Sequence, residues 1–107
     1  MPSWVSRGLW RTCDVLVKGA DDVLLCNVDA KKIDVMKATG RVTVRNSFAA
    51  RLQFKGLKAF TGTSTHQNPE DVRVINVINK KTGVKFVEGD KNLQFLNNSP
   101  DRDLIVR

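Results

Sequence analysis

Several residue types on which enzymes depend are scarce or absent in this chain. Its 107 residues include no tyrosine, one histidine (His66) and two glutamates (Glu70 and Glu88). Histidine and paired carboxylates are the usual general acids and bases, and His66 beside Glu70 or Asp71 is the one arrangement here suited to that work. The seven glycines form neither a Walker A sequence nor G-x-G-x-x-G. We therefore expect a protein that is not an enzyme, with a small nuclease using His66 as the remaining enzymatic hypothesis.

Cysteine is also scarce, and its positions argue against a metal centre. Cys13 and Cys26 form no C-x-x-C motif, and with His66 they offer three ligands where a structural zinc site needs four. We expect neither a metal nor a cofactor. Residues 1–12 lack the continuous apolar core of a secretory signal, because two arginines and a glycine interrupt it. This favours an intracellular location, in the cytoplasm or within a virion or organelle particle, with reduced thiols.

Long apolar runs are missing too, and none approaches the ~20 residues of a membrane-spanning helix. The composition, 41% hydrophobic and 27% charged, is typical of a folded domain, and the length suits one core. We predict a single β-rich domain over residues 13–107. Residues 1–12 are interpreted as an N-terminal docking arm, in which Trp4 and Trp10 bind a partner. We see no internal repeat and no linker.

The first apolar segments predict a β-hairpin. Residues 13–17 and 22–28 are rich in valine and leucine, and the loop between them has a hairpin length and a glycine. The pairing that gathers their apolar side chains on one face sets Cys13 opposite Cys26. The two thiols are then expected to be cross-strand neighbours that pack as small hydrophobic groups.

The next segments predict one helix and a second hairpin. Asp29 is a suitable helix N-cap and Gly40 a suitable stop, which indicates a short helix over 30–38. After Gly40 the apolar side chains alternate with polar ones, as in half-buried strands. We predict that 41–45 and 48–55 are two such strands, paired through a turn.

The rest of the chain adds further strands. A polar loop over 61–71, which contains His66, precedes a run of β signals. We predict these strands over 72–78, 84–87, 93–96 and 104–106. The expected fold is therefore mostly β (α+β). It is a small antiparallel sheet of about seven short strands with one short helix, closed as a barrel or packed as a sandwich.

Positive charge is concentrated in one part of the sequence. The chain holds 18 Lys and Arg against 11 Asp and Glu, and residues 41–60 hold five bases and no acid. Four of the bases share the outward face of the predicted hairpin, and the fifth, Lys58, follows the hairpin in the sequence. The four are Arg41, Arg45, Arg51 and Lys55. Such a surface favours phosphate backbones, because each neutralised phosphate releases counterions. Phe48 and Phe54 are expected to point into the core, away from any bound base.

These patterns favour a basic, non-enzymatic β-module that associates with nucleic acid as a subunit of a ribonucleoprotein-like assembly. Residues 41–58 would hold the phosphate backbone with weak sequence specificity. The alternative is a protein–protein assembly subunit or inhibitor, such as a virion, phage structural or host-targeting protein. It would bind an acidic protein surface or neighbouring subunits, with Trp4 and Trp10 as contacts. Neither hypothesis involves a membrane.

Overall fold

All regular secondary structure in the described part of the chain is β-strand. The computed structural model describes residues 4–6, 10–38, 40–56, 72–96 and 103–107, and for 4–6 and 10–13 it describes the backbone alone. The strands are β1 (Trp4–Ser6), β2 (Trp10–Lys18), β3 (Val23–Cys26), β4 (Val28–Met36), β5 (Val42–Lys55), β6 (Val72–Asn79), β7 (Leu93–Leu96) and β8 (Leu104–Val106). The prediction of a mostly β protein is confirmed.

The strands stack in two parallel rows because the chain winds in successive turns. In the first row β1 pairs with β3, β3 with β5, β5 with β6, and β6 with β8. In the second row β2 pairs with β4, β4 with β5, and β5 with β7. The long strand β5 belongs to both rows. This arrangement is a β-solenoid, in which each turn, here called a rung, contacts the rungs next to it. The prediction of an antiparallel sheet, as a barrel or a sandwich, is wrong.

Successive rungs are offset by 19 residues over much of the chain. Val23 pairs with Val42, and Ile33 pairs with Leu52. The prediction of no internal repeat is therefore wrong. The rungs share a spacing of buried positions but only a few residue identities, which is why the repeat is hard to see. The matching buried positions are Val23, Leu25, Val28, Ala30, Ile33 and Val35 in one rung, and Val42, Val44, Ser47, Ala49, Leu52 and Phe54 in the next.

Asparagines form the corner between the two rows. Asn27, Asn46 and Asn76 occupy equivalent positions in three rungs and have φ angles of 59°, 51° and 53°. Asparagine tolerates this left-handed conformation better than most residues with a side chain. The Asn76 Nδ2 donates to Asn46 Oδ1 at 2.9 Å, so the corners are also linked to each other.

Ser47 stabilises this corner from inside. It is 1% exposed, its Oγ accepts from the Val28 backbone N–H at 3.0 Å, and it donates to the Arg45 carbonyl at 2.9 Å. Ser47→Ala leaves the buried Val28 N–H without its acceptor, so we expect the free energy of unfolding to fall by about 1–2 kcal/mol. Urea titration measures the change, and Thr43→Ala on the outside of the same strand is the control. A Ser47→Ala loss no larger than that of Thr43→Ala would contradict this role.

The predicted helix over 30–38 is wrong, because most of this segment is part of β4. That strand lies between β2 and β5, and pairing on both edges outweighs a weak helical preference. The two supposed helix signals have other roles. Asp29 forms an ion pair with Lys80. Gly40 allows its backbone to lie close to Asp21 and Asp22. A Cβ at this position would overlap the Asp22 carboxylate and lie 2.6 Å from the Asp21 carbonyl oxygen.

Both predicted hairpins are also wrong. Residues 13–17 lie in β2 and pair with β4, whereas Cys26 lies in β3 and pairs with Arg45. Cys13 and Cys26 are consequently in different rows and are not cross-strand neighbours. Residues 41–45 and 48–55 do not pair with each other, because they follow one another along the single bent strand β5, which begins at Val42.

The later strands are predicted more accurately. The strands expected over 72–78, 93–96 and 104–106 are confirmed as β6, β7 and β8. Residues 84–87 form no strand, and the single bridge between Ile78 and Lys85 is all the pairing described there. The predicted loop over 61–71 lies outside the described residues.

Candidate nucleic-acid interface

The five predicted phosphate-binding residues do not form one stripe. Arg45 pairs with Cys26 and Ile75 in the first row, and Arg41 immediately precedes that part of β5; both are exposed. Arg51 and Lys55 follow the corner and lie half-buried in the second row. Lys58 lies outside the described residues. The corner at Asn46 therefore divides the predicted basic surface into two.

The other predicted site residues are Trp4, Trp10 and His66. Trp4 in β1 pairs with Val23, and Trp10 in β2 pairs with Val28, so the backbone of both is part of the sheet. Their binding of a partner stays a prediction. His66 lies outside the described residues, and its catalytic use also stays untested.

Lysines that the sequence reasoning missed join Arg51 in the second row. Lys32 in β4 pairs directly with Arg51 in β5, and Lys31 precedes it; both lysines are exposed. In the next rung, which contains β6 and β7, the loop over 80–92 is inserted at the position equivalent to that of Lys32 and Arg51. It leaves the rung at Lys80, whose N–H donates to the Ala49 carbonyl, and it returns beside Leu93. We call the bases of these three rungs the basic ridge: Lys31, Lys32, Arg51, Lys80, Lys81, Lys85 and Lys91.

The loop of the basic ridge is anchored at both ends. Asn79 is fully buried, its Nδ2 donates to Asp90 Oδ2 at 3.1 Å, and its Oδ1 accepts from the Lys81 N–H at 2.8 Å. Phe86 is 2% exposed, and its N–H donates to the Val77 carbonyl at 2.9 Å. The lysines of the loop are exposed around this buried anchor. The fold thus presents them on a fixed backbone.

Arg51 is oriented by two glutamines of the second row. Its Nη2 donates to Gln53 Oε1 at 2.8 Å and to Gln94 Oε1 at 3.0 Å. A guanidinium held in this way loses less side-chain entropy on binding an anion. Arg51 is therefore the pre-organised cation of the basic ridge.

Acidic residues occur at the basic ridge but are fewer than the bases. Asp14 pairs with Lys32 on the neighbouring strand, and Glu88 and Asp90 belong to the loop. Asp29 accepts from Lys80 Nζ at 2.6 Å, an ion pair that spans the rung between them. With Asp34, which pairs in the sheet with Gln53, five acids stand against the seven bases, which leaves an excess of positive charge.

Phe48 lies beside this surface rather than in the core. It is 45% exposed, so the prediction that it points inward is wrong, whereas Phe54 is fully buried as predicted. The cause is the corner in β5. Val44 and Ser47 both point inward although they are three positions apart, an odd number, so the alternation shifts phase between them. A strict period of two carried across the corner assigns Phe48 to the wrong face.

Comparison with protein-family models, curated proteins and solved structures finds no match for this chain. Within the ranges that the structure describes, no three or more His, Cys, Asp or Glu side chains come together as a set of metal ligands. Those ranges also contain no helix of the length and hydropathy needed to cross a membrane.

Proposed function

We propose that the protein is a non-enzymatic binding module that holds the phosphate backbone of a nucleic acid on the basic ridge, as a subunit of a larger assembly. The observation that carries this proposal is the shared position of the bases. Lys31, Lys32, Arg51 and the loop over 80–92 lie on three successive rungs at the same place along the second row. Neighbouring rungs are separated by about 4.8 Å. This spacing makes a line of cations suited to a linear polyanion.

The electrostatics support phosphate as the ligand. Binding to a charged backbone is driven by release of counterions, and it needs several cations on one surface rather than a deep pocket. Lys80 neutralises Asp29, so this acid adds less repulsion toward an incoming anion. Arg51 supplies one planar guanidinium, the group that binds phosphate in a bidentate manner.

A salt series tests the proposal. With about four phosphates neutralised, the log–log slope of affinity against salt is expected to be about −3 for a single-stranded oligonucleotide. The double variant Lys32→Ser and Lys81→Ser should reduce the magnitude of that slope by about 1.4. Fluorescence anisotropy with a labelled oligonucleotide measures both slopes.

A matched variant controls for net charge. Arg41→Ser with Arg45→Ser removes the same two charges from the first row, and both arginines are exposed. We expect this control to keep a slope close to that of the native protein. A flat salt response of the native protein, or equal losses in the two double variants, would refute the basic ridge as the binding surface.

A second candidate function, a protein-binding assembly subunit or inhibitor, is favoured by an exposed apolar pair. Val84 and Val87 are 63% and 62% exposed on the anchored loop over 80–92. These two valines offer apolar groups to a protein partner, and Trp4 and Trp10 remain the predicted contacts of the docking arm. If the salt series shows no nucleic-acid binding, this candidate becomes the better one.

A further inference from the structure

An aromatic side chain lies exposed next to the basic ridge. Phe48 is 45% exposed, and it pairs in the sheet with Asp29 on one side and Ile78 on the other. The Lys80–Asp29 ion pair joins the two rungs that flank the Phe48 rung. A large apolar ring left open beside an ion pair marks a contact surface rather than a core position.

We propose that Phe48 is a stacking platform for an unpaired base, so that the basic ridge takes a single-stranded nucleic acid. This inference rests on the proposed function, which supplies the phosphate contacts. Proteins that bind single strands combine a cationic track for the backbone with aromatic side chains on which bases stack. Phe48 lies next to the corner between Ala49 and Leu52, and Arg51 of the basic ridge lies at that corner, so the two elements are adjacent on the solenoid surface.

The distances along β5 suit this arrangement. Phe48 and Arg51 lie three positions apart on the same strand, and because β5 bends between Ala49 and Leu52 their backbones are at most about 10 Å apart. A nucleotide whose phosphate is held near Arg51 therefore has a base, its own or a neighbour's, within reach of Phe48. The Arg51 guanidinium is held in place by its hydrogen bonds to Gln53 and Gln94. These bonds limit its movement toward a ligand bound elsewhere.

A duplex does not fit the same site equally well. Its bases are stacked on each other, and bringing one onto Phe48 requires unpairing and unstacking it at a cost of a few kcal/mol. Single strands offer their bases without that cost. We therefore expect binding to a single strand to exceed binding to a duplex of the same sequence at equal salt.

The test compares Phe48→Leu and Phe48→Trp, because leucine removes the aromatic face and tryptophan keeps one. Three labelled probes are used: a 12-residue single strand, its duplex, and a single strand of the same length in which every base is replaced by an abasic sugar. Phe48→Leu should weaken binding of the normal single strand by about 5- to 100-fold and leave the salt slope unchanged. Phe48→Trp should restore it. Binding of the duplex and of the abasic strand should stay the same in all three proteins.

The outcomes separate this inference from the proposed function. If the Lys32 and Lys81 double variant loses affinity while Phe48→Leu binds the normal strand as the native protein does, the phosphate surface stands and the stacking platform falls. Equal losses of Phe48→Leu on normal and abasic strands would also overturn the platform. If the native protein binds no probe, the proposed function itself fails. Leu16→Ala, which trims another exposed apolar residue in the second row, is the control for apolar area and should change nothing.

Discussion

Replacing Phe54 by alanine is expected to lower the free energy of unfolding by about 3–5 kcal/mol, a large part of the stability of a domain this size. Phe54 is fully buried in β5, where it pairs with Val35 below and Phe95 above. The neighbouring rungs are held at a fixed distance by the backbone hydrogen bonds of the sheet. They cannot collapse into the space that the ring leaves, so a cavity remains and adds to the lost apolar burial.

The control for Phe54→Ala is the same change at Phe48, six residues earlier on the same strand. Phe48 is 45% exposed, so its removal forfeits less buried surface and creates no internal cavity. We expect a loss of under about 1.5 kcal/mol there. Urea denaturation followed by circular dichroism measures both changes. Equal losses at the two positions would show that the assignment of the inward and outward faces of β5 is incorrect.

Asn79→Leu is expected to cost about 2–3 kcal/mol and to release the loop over 80–92. Leucine has the same number of side-chain heavy atoms but is bulkier, and it can neither donate to Asp90 nor accept from the Lys81 N–H. Each buried polar group that loses its partner costs about 1–3 kcal/mol. Asn79 also pairs with Ala49 in a fully buried stack of small residues. The larger apolar side chain of leucine therefore finds no free space there that would offset the lost hydrogen bonds.

Hydrogen exchange distinguishes loop release from general destabilisation. In Asn79→Leu the Phe86 amide, which donates to the Val77 carbonyl, should exchange faster than the amides of β4. Thr82→Val is the control, because Thr82 is exposed and its Oγ1 accepts only a long hydrogen bond of 3.5 Å from the Val84 N–H. The anchoring role fails if Asn79→Leu leaves Phe86 protected, or if Thr82→Val has the larger effect.

Strand content could be predicted from the sequence, but strand direction could not. Alternation in Val72–Asn79 and Leu93–Leu96 indicates a half-buried strand whether its neighbours run parallel or antiparallel. Short loops then suggested hairpins, although a solenoid also turns within a few residues at each corner. Better evidence lay in the 19-residue recurrence of Val23 at Val42, Asn27 at Asn46 and Ala30 at Ala49. A 19-residue recurrence that is seen in only two full rungs is difficult to distinguish from chance similarity within the rest of the sequence.

The candidate site was predictable only in part, and for related reasons. Arg51 was recognised as a surface base, but grouping it with Arg45 required a straight strand, and β5 turns a corner between them. Lys31 and Lys32 belong to the segment over 30–38, where a helix is predicted that does not form. The contribution of the loop over 80–92 depends on where the fold inserts it, which no local pattern reveals.

The 19-residue offset between the rungs that begin at Val23 and Val42 defines a unit by which the length of this protein could change. Residues 23–41 form one complete unit, since Val23 and Val42 occupy the same place in successive rungs. Because each rung bonds to the rungs next to it, a duplicated unit would meet one original neighbour on one side and the other copy on the other side. It would carry its own copies of Lys31 and Lys32 and lengthen the cationic track by about 4.8 Å. Tandem duplication thus offers this architecture a way to match a longer polyanion with one new interface, the one between the two copies.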